Sequence, residues 1–207
     1  MANWKNLLAN TDHPHGAELI YDMAVQYSKQ LPEDYIFMEI GCWKGGGTME
    51  LMQAVKDSGV DRWVFSVDPY GSKPFKLGLG IQEEADYNED IYRDAMANMA
   101  NLAKELGVKH HHFRMTSDDF MKVLPQIEFF DKGKVIEPKF GFVYVDGDHN
   151  CFTVEREMLW LKERMTVGDT MIVLDDVKYI DMEDRPIIKQ AIDEGFIDEN
   201  RCYWVVQ

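Results

Sequence analysis

FMEIGCWKGGGTMELM, residues 37–52, decides the fold. An apolar run ends in Glu39 and Ile40, opens into a loop holding Gly41, Gly45, Gly46 and Gly47, and passes straight into an amphipathic run from Thr48. The apolar part, YIFMEI (35–40), is bounded by Pro32 and Gly41 and is short enough to be a buried strand. Thr48–Asp57 has helical spacing and stops at Ser58-Gly59. Glycine loses more backbone freedom on folding than any other residue, so this cluster implies that something approaches the loop backbone closely. Such a loop can pass under a ligand without side chains in the way.

Working outward, the strand-and-helix alternation continues along the chain. RWVFSVD (62–68) predicts a second strand, ended by Pro69, and HHHFRM (110–115) a third. FGFVYVD (140–146) predicts a fourth and TMIVLD (170–175), entered through a turn at 166–169, a fifth. CYWVV (202–206) is the last strand, with GFID (195–198) a short partner or no element. Helices are expected over 17–30, 88–106, 118–124, 153–165 and 186–194. Residues 70–87 have no clear period and read as one long substrate or lid loop. The expectation is a single α/β domain over 1–207, with 1–34 an N-terminal helical segment. Its doubly wound, mostly parallel sheet of six or seven strands has helices on both faces.

Composition narrows the partners. Twenty-two basic against thirty-seven acidic residues give a net charge of −15, the wrong sign for a nucleic-acid backbone or an anionic membrane surface. No apolar run approaches the roughly 20 residues of a membrane-spanning helix, and the N-terminus lacks a signal-peptide pattern, so a cytoplasmic location is expected. Cys42, Cys151 and Cys202 are widely spaced and odd in number, as expected of reduced thiols.

In a parallel sheet, ligands sit beyond the carboxyl ends of the strands, so the residues that end strands carry the information. Glu39, Asp68, Asp146 and the pair Asp175-Asp176 end four of them, and Thr116-Ser117-Asp118 follows the third. One acid after a strand is an ordinary turn residue. Acids at almost every carboxyl end would crowd one rim, where protonation, cations or a polyhydroxylated ligand must relieve the repulsion. The glycine spacing is G-x-x-x-G-G-G, not the G-x-G-x-x-G of dinucleotide binding, and no G-K-[ST] follows. With Glu39 two residues before the first glycine, the pattern points to a nucleoside carrying a positive amino acid rather than to phosphate.

These residues carry a family resemblance. EIGCWKGGGT resembles motif I of class I S-adenosylmethionine-dependent methyltransferases, and VDPYG resembles motif II. FVYVDGDHNCFTVEREMLWLKERMTVGDTMIVLDD is similar to the matching region of the macrocin O-methyltransferase branch, methyltransferase family 24. The resemblance implies a Rossmann-like fold with S-adenosyl-L-methionine as cofactor. It puts Glu39 and Gly41 against the methionine moiety, with Trp43, Gly45, Gly46 and Thr48 in the same loop. Asp68 and Pro69 would meet the ribose, Ser117 and Asp118 the adenine, and Asp146 and His149 would complete the contacts. Capping of the 118–124 helix is the alternative for Ser117 and Asp118.

Asp146, Asp175 and Asp176 form a second constellation. Three neighbouring carboxylates repel unless a hard divalent cation takes them as ligands, and catechol O-methyltransferase and the macrocin-type enzymes are similar in binding Mg2+ at these two strand ends. The alternative gives Asp146 to the cofactor amine and Asp176 to a turn. His149, three residues past Asp146, is at the offset of the catechol enzymes' lysine base, which makes His149 and Asp146 the catalytic candidates; His149 could instead position the loop. His110, His111 and His112 are expected to be structural, because side chains alternate along a strand. His13 and His15 lie before the first helix, Trp43 and Tyr70 suit either cofactor or core packing, and Met96 and Met99 suit core. Two departures from the branch are Gly47, where serine is common, and Gly168-Asp169, where a glycine pair is usual.

The expected function is therefore metal-assisted methyl transfer to a hydroxyl of a small molecule such as a sugar, in a monomer or homo-oligomer. The competing expectations are a metal-independent N- or carboxyl-methyltransferase and a non-catalytic binding module.

Overall fold

The computed structural model describes residues 17–71, 88–148, 151–165, 170–175 and 203–206. His13, His15, most of the 70–87 loop, His149, the 166–169 turn, Asp176, the 186–194 helix and GFID lie outside the described residues.

The strands are β1 (Tyr35–Ile40), β2 (Trp63–Val67), β3 (Lys109–Phe113), β4 (Phe129–Asp131), β5 (Lys134–Ile136), β6 (Lys139–Val145), β7 (Thr170–Leu174) and β8 (Tyr203–Val206). The helices are α1 (Ala17–Gln30), α2 (Gly46–Ser58), α3 (Glu89–Leu106), α4 (Ser117–Val123) and α5 (Cys151–Lys162). Six strands form one sheet in the order β3-β2-β1-β6-β7-β8, parallel throughout except for the antiparallel β7–β8 pair. This is the Rossmann-like arrangement expected. No described helix is long and apolar enough to cross a membrane.

The near-continuous apolar runs of β1 and β6 follow from burial on both faces. Ile36, Met38 and Ile40 join the core under α4 and α5, while Phe37 joins the core under α1, α2 and α3. By alternation, Glu39 shares the face of Phe37 and lies under α2. Arg62, 1 % exposed just before β2, locks α1 to the sheet. Its guanidinium donates to the Ser28 hydroxyl and to the carbonyls of Ser28, Leu31, Pro32 and Tyr35.

Two local readings are corrected, and the structural role expected of the histidine tract takes a specific form. Residues 129–136, assigned no element above, form the β4–β5 hairpin. Lys132 (φ 48°) and Gly133 (φ 77°) supply the two consecutive left-handed residues that a two-residue hairpin turn needs. Helix α2 begins at Gly46 rather than Thr48, because Gly45 occupies its N-cap. The histidine tract alternates as expected, yet His110 Nε2 and His112 Nδ1 meet on one Ser66 hydroxyl, at 2.8 and 2.9 Å. Burial holds both rings neutral, with pKa values of about 4 and about 3.

Candidate active site

The strand ends are stitched into one edge. Each residue that ends a strand continues the ladder onto its neighbour: Asp68 N–H donates to Phe113 O (3.1 Å), Gly41 to Val67 O (2.9 Å), Asp146 to Ile40 O (2.7 Å) and Asp175 to Val145 O (2.9 Å). Gly41, Asp68, Asp146 and Asp175 therefore stand in register along the carboxyl edge.

The glycine loop is shaped first by the protein itself. Gly41 has φ +85°, and a Cβ there would sit 2.1 Å from the Asp146 carbonyl oxygen, so only glycine lets β1 and β6 end this close. A Cβ on Gly47 would lie 2.0 Å from Glu39 Oε1. The serine expected at that position is thus incompatible with the Glu39 rotamer. Thr48 donates its hydroxyl to the other Glu39 oxygen. Glu39 is 1 % exposed, and burial, opposed by its hydrogen bonds, pushes its pKa up to about 8. Asp68 is equally buried and ties the loop down, its Oδ2 accepting the N–H groups of Cys42 (2.7 Å) and Trp43 (3.2 Å) and its Oδ1 that of Tyr70 (2.8 Å).

A cavity of about 190 Å3 lies at this edge, its lining including Gly41, Asp68, Pro69, Ser117, Asp118 and Asp148. Thr116, not Ser117 or Asp118, caps α4 by accepting Asp119 N–H. Arg156 on α5 engages both Asp118 oxygens, at 3.1 and 3.0 Å.

Comparison with known proteins decides the family. Residues 38–177, about two thirds of the chain, match the family described as methyltransferase domain. The chain belongs to that family. No curated protein sequence matches this methyltransferase domain. Similar solved structures include cofactor-bound Rv0187 from MTB, at 15% identity and TM-score 0.45, covering 83% of this chain and 62% of that one. The methyltransferase domain thus spans less than two thirds of that protein's length. CalS11, a TDP-rhamnose 3'-O-methyltransferase of calicheamicin biosynthesis, has 12% identity and TM-score 0.43, covering 84% of this chain and 75% of that one. The O-methyltransferase NovP has 18% identity and TM-score 0.41, covering 86% and 69%.

Within the methyltransferase domain, the second acidic constellation is organised by a residue the sequence reading missed. Tyr144 on β6 is fully buried and donates toward Asp175 Oδ2 (2.5 Å) and Asp146 Oδ2 (3.3 Å). Burial first, then the two carboxylates, raise its pKa well above that of a free phenol. Its position two residues before the strand-end acid, on a strand flanked by acidic ends, was the available signal. Among the described residues no three His, Cys, Asp or Glu side chains form a metal-ligand set. Of the predicted cofactor residues, Gly41, Asp68, Pro69, Ser117 and Asp118 line the cavity. Glu39 is buried on β1 under α2, Gly45, Gly46 and Thr48 are buried in the loop and helix start, and Trp43, half-buried at φ 45°, holds the loop through its N–H. Tyr70 packs in the core against Tyr92 and His112.

Proposed function

We propose that this domain transfers the methyl group of S-adenosyl-L-methionine to a hydroxyl oxygen of a small molecule. The observation that carries the reading is the single carboxyl edge on which Gly41, Asp68, Asp146 and Asp175 stand in register, with Gly41 and Asp68 lining a cavity. In this reading the methionine moiety lies across Gly41, the ribose against Asp68 and the adenine toward Ser117 and Asp118. Glu39, neutral up to about pH 8, ionises when an ammonium group approaches and gains a charge partner. The domain's main task is alignment, since the sulfonium already activates the methyl carbon.

Asp146 and Asp175 offer oxygen donors suited to Mg2+, with Asp176 as the third proposed ligand. When bound, the ion would hold substrate oxygens and acidify the attacking hydroxyl. Tyr144 then orients the two aspartates, and His149 is the proposed acceptor of the hydroxyl proton. The same tyrosine supports a second reading, because a hydroxyl shared by two carboxylates relieves their repulsion without any cation.

The test is methyl transfer from labelled S-adenosylmethionine to a panel of sugars and catechols, with Mg2+ or EDTA. On the first reading EDTA abolishes transfer, Mg2+ restores it, and Asp146→Ala or Asp175→Ala lowers the rate at least about 100-fold. Transfer indifferent to EDTA selects the second reading.

A further inference from the structure

Glu157 on α5 lines the cavity, 1 % exposed, and neither carboxyl oxygen makes a geometrically formed hydrogen bond, although the Ser117 hydroxyl is close enough to oppose the rise in its pKa. Buried polar groups in folded proteins are nearly always paired, so a carboxyl left bare at a cavity wall points to a ligand. The neighbouring acids are engaged: Asp118 holds Arg156 through both oxygens, and Asp148 Oδ2 accepts the Thr153 hydroxyl at 2.9 Å.

We propose that Glu157 reads the nucleobase of the bound nucleoside, its two carboxyl oxygens meeting the amino group and ring nitrogen N1 of adenine. The proposal rests on the donor-binding reading above.

That edge of adenine presents one donor, the 6-amino N–H, beside one acceptor, N1. A neutral carboxylic acid matches it, the carbonyl oxygen accepting from the amino group and the O–H donating to N1. A carboxylate would set a second acceptor against the N1 lone pair. Burial pushes the Glu157 pKa up to about 8, opposed by the nearby Ser117 hydroxyl, raised further by Asp148 and Asp118, and opposed by Arg156. The acid is therefore present at neutral pH. The Glu157 contribution to affinity is full below about pH 8 and declines above it as this side chain ionises in the free protein, while the Glu39 contribution is common to wild type and Glu157 variants.

The experiment is calorimetry of S-adenosylhomocysteine and of its analogue with hydrogen in place of the 6-amino group, on the wild-type chain, Glu157→Gln and Glu157→Leu. Folding of each is checked by circular dichroism. Removing the amino group is expected to cost the wild type about tenfold in affinity and Glu157→Leu nothing. Glu157→Gln, with the same donor and acceptor, keeps the preference for the 6-amino ligand. Between pH 7 and 9.5 it also loses less affinity than the wild type; titration of the ligand's own amine is common to both. A Glu157→Leu variant that binds and discriminates like the wild type overturns the proposal. Should that variant not fold, equal binding of both ligands by the wild type overturns it. Wild-type chain that binds S-adenosylhomocysteine but fails these contrasts leaves the methyltransferase reading standing. No binding by any folded chain overturns both.

Discussion

At Gly47 a missing side chain does the structural work. Glu39 is buried under the start of α2, and its Oε1 occupies the space a Cβ at position 47 would need. Gly47→Ala is expected to destabilise the domain by about 2 kcal/mol, read as a lowered midpoint in urea. Adding Glu39→Ala should recover most of that loss, giving a strongly non-additive double mutant. Additive losses would show that the two residues do not compete for space. The sequence made the cluster conspicuous but suggested the wrong first neighbour. Positions 41 and 47 are crowded by Asp146 and Glu39, one distant in sequence and one on the strand just before the loop. Composition cannot tell a close ligand from a close strand.

Helix α1 is held by a side chain rather than by its apolar face alone. Arg62 gathers carbonyls from the last turn of α1 and the chain entering β1, and stacks 4.8 Å from the Phe37 ring centroid. Arg62→Ala leaves several buried carbonyls unpaired and should cost at least about 3 kcal/mol, measured by denaturant unfolding. Arg62→Lys, which lacks the planar fork, should recover only a fraction. A loss under about 1 kcal/mol for the alanine variant would contradict the clamp. Most elements were legible because their periods are strong: β1, β2, β6, β7 and α3 fall within a few residues of expectation. The β4–β5 hairpin was not, because three-residue strands carry almost no period and Lys132-Gly133 is a weaker turn signal than Asn-Gly. The Tyr144 bridge was missed for a different reason, its one sequence signal being the acid two residues on. Tyrosine in a buried strand reads as core, and only the β6–β7 register brings Asp175 to its hydroxyl.

The whole molecule has an unusual proton inventory for a chain of net charge −15. Glu39, Glu50 and Glu157 are buried with pKa values raised to about 8, about 9 and about 8, mainly by burial. Between their unfolded values near 4.3 and these folded ones, the folded state holds more protons, so stability falls as pH rises. His110 and His112 act oppositely: their folded pKa values are depressed, so stability falls as pH drops through the unfolded value near 6.5. Between about pH 4.5 and 6.5 the three carboxyls outweigh the two imidazoles by about one proton, and above that the carboxyl slope stands alone. Thermal unfolding should show a gentle fall in melting temperature from about pH 4.5 to 6.5 and a steeper one, of several degrees or more, from about pH 6.5 to 8.5. Glu157→Gln should make that decline shallower. A melting temperature that climbs over the same interval would contradict the assignment.

One joint ties the ends of β1 and β6 together. A Cβ at position 41 would overlap the Asp146 carbonyl, so the ends of β1 and β6 meet only while that position stays bare. Any side chain placed there would wedge the two strand ends apart and disturb, in one stroke, the groups proposed above for donor and acceptor.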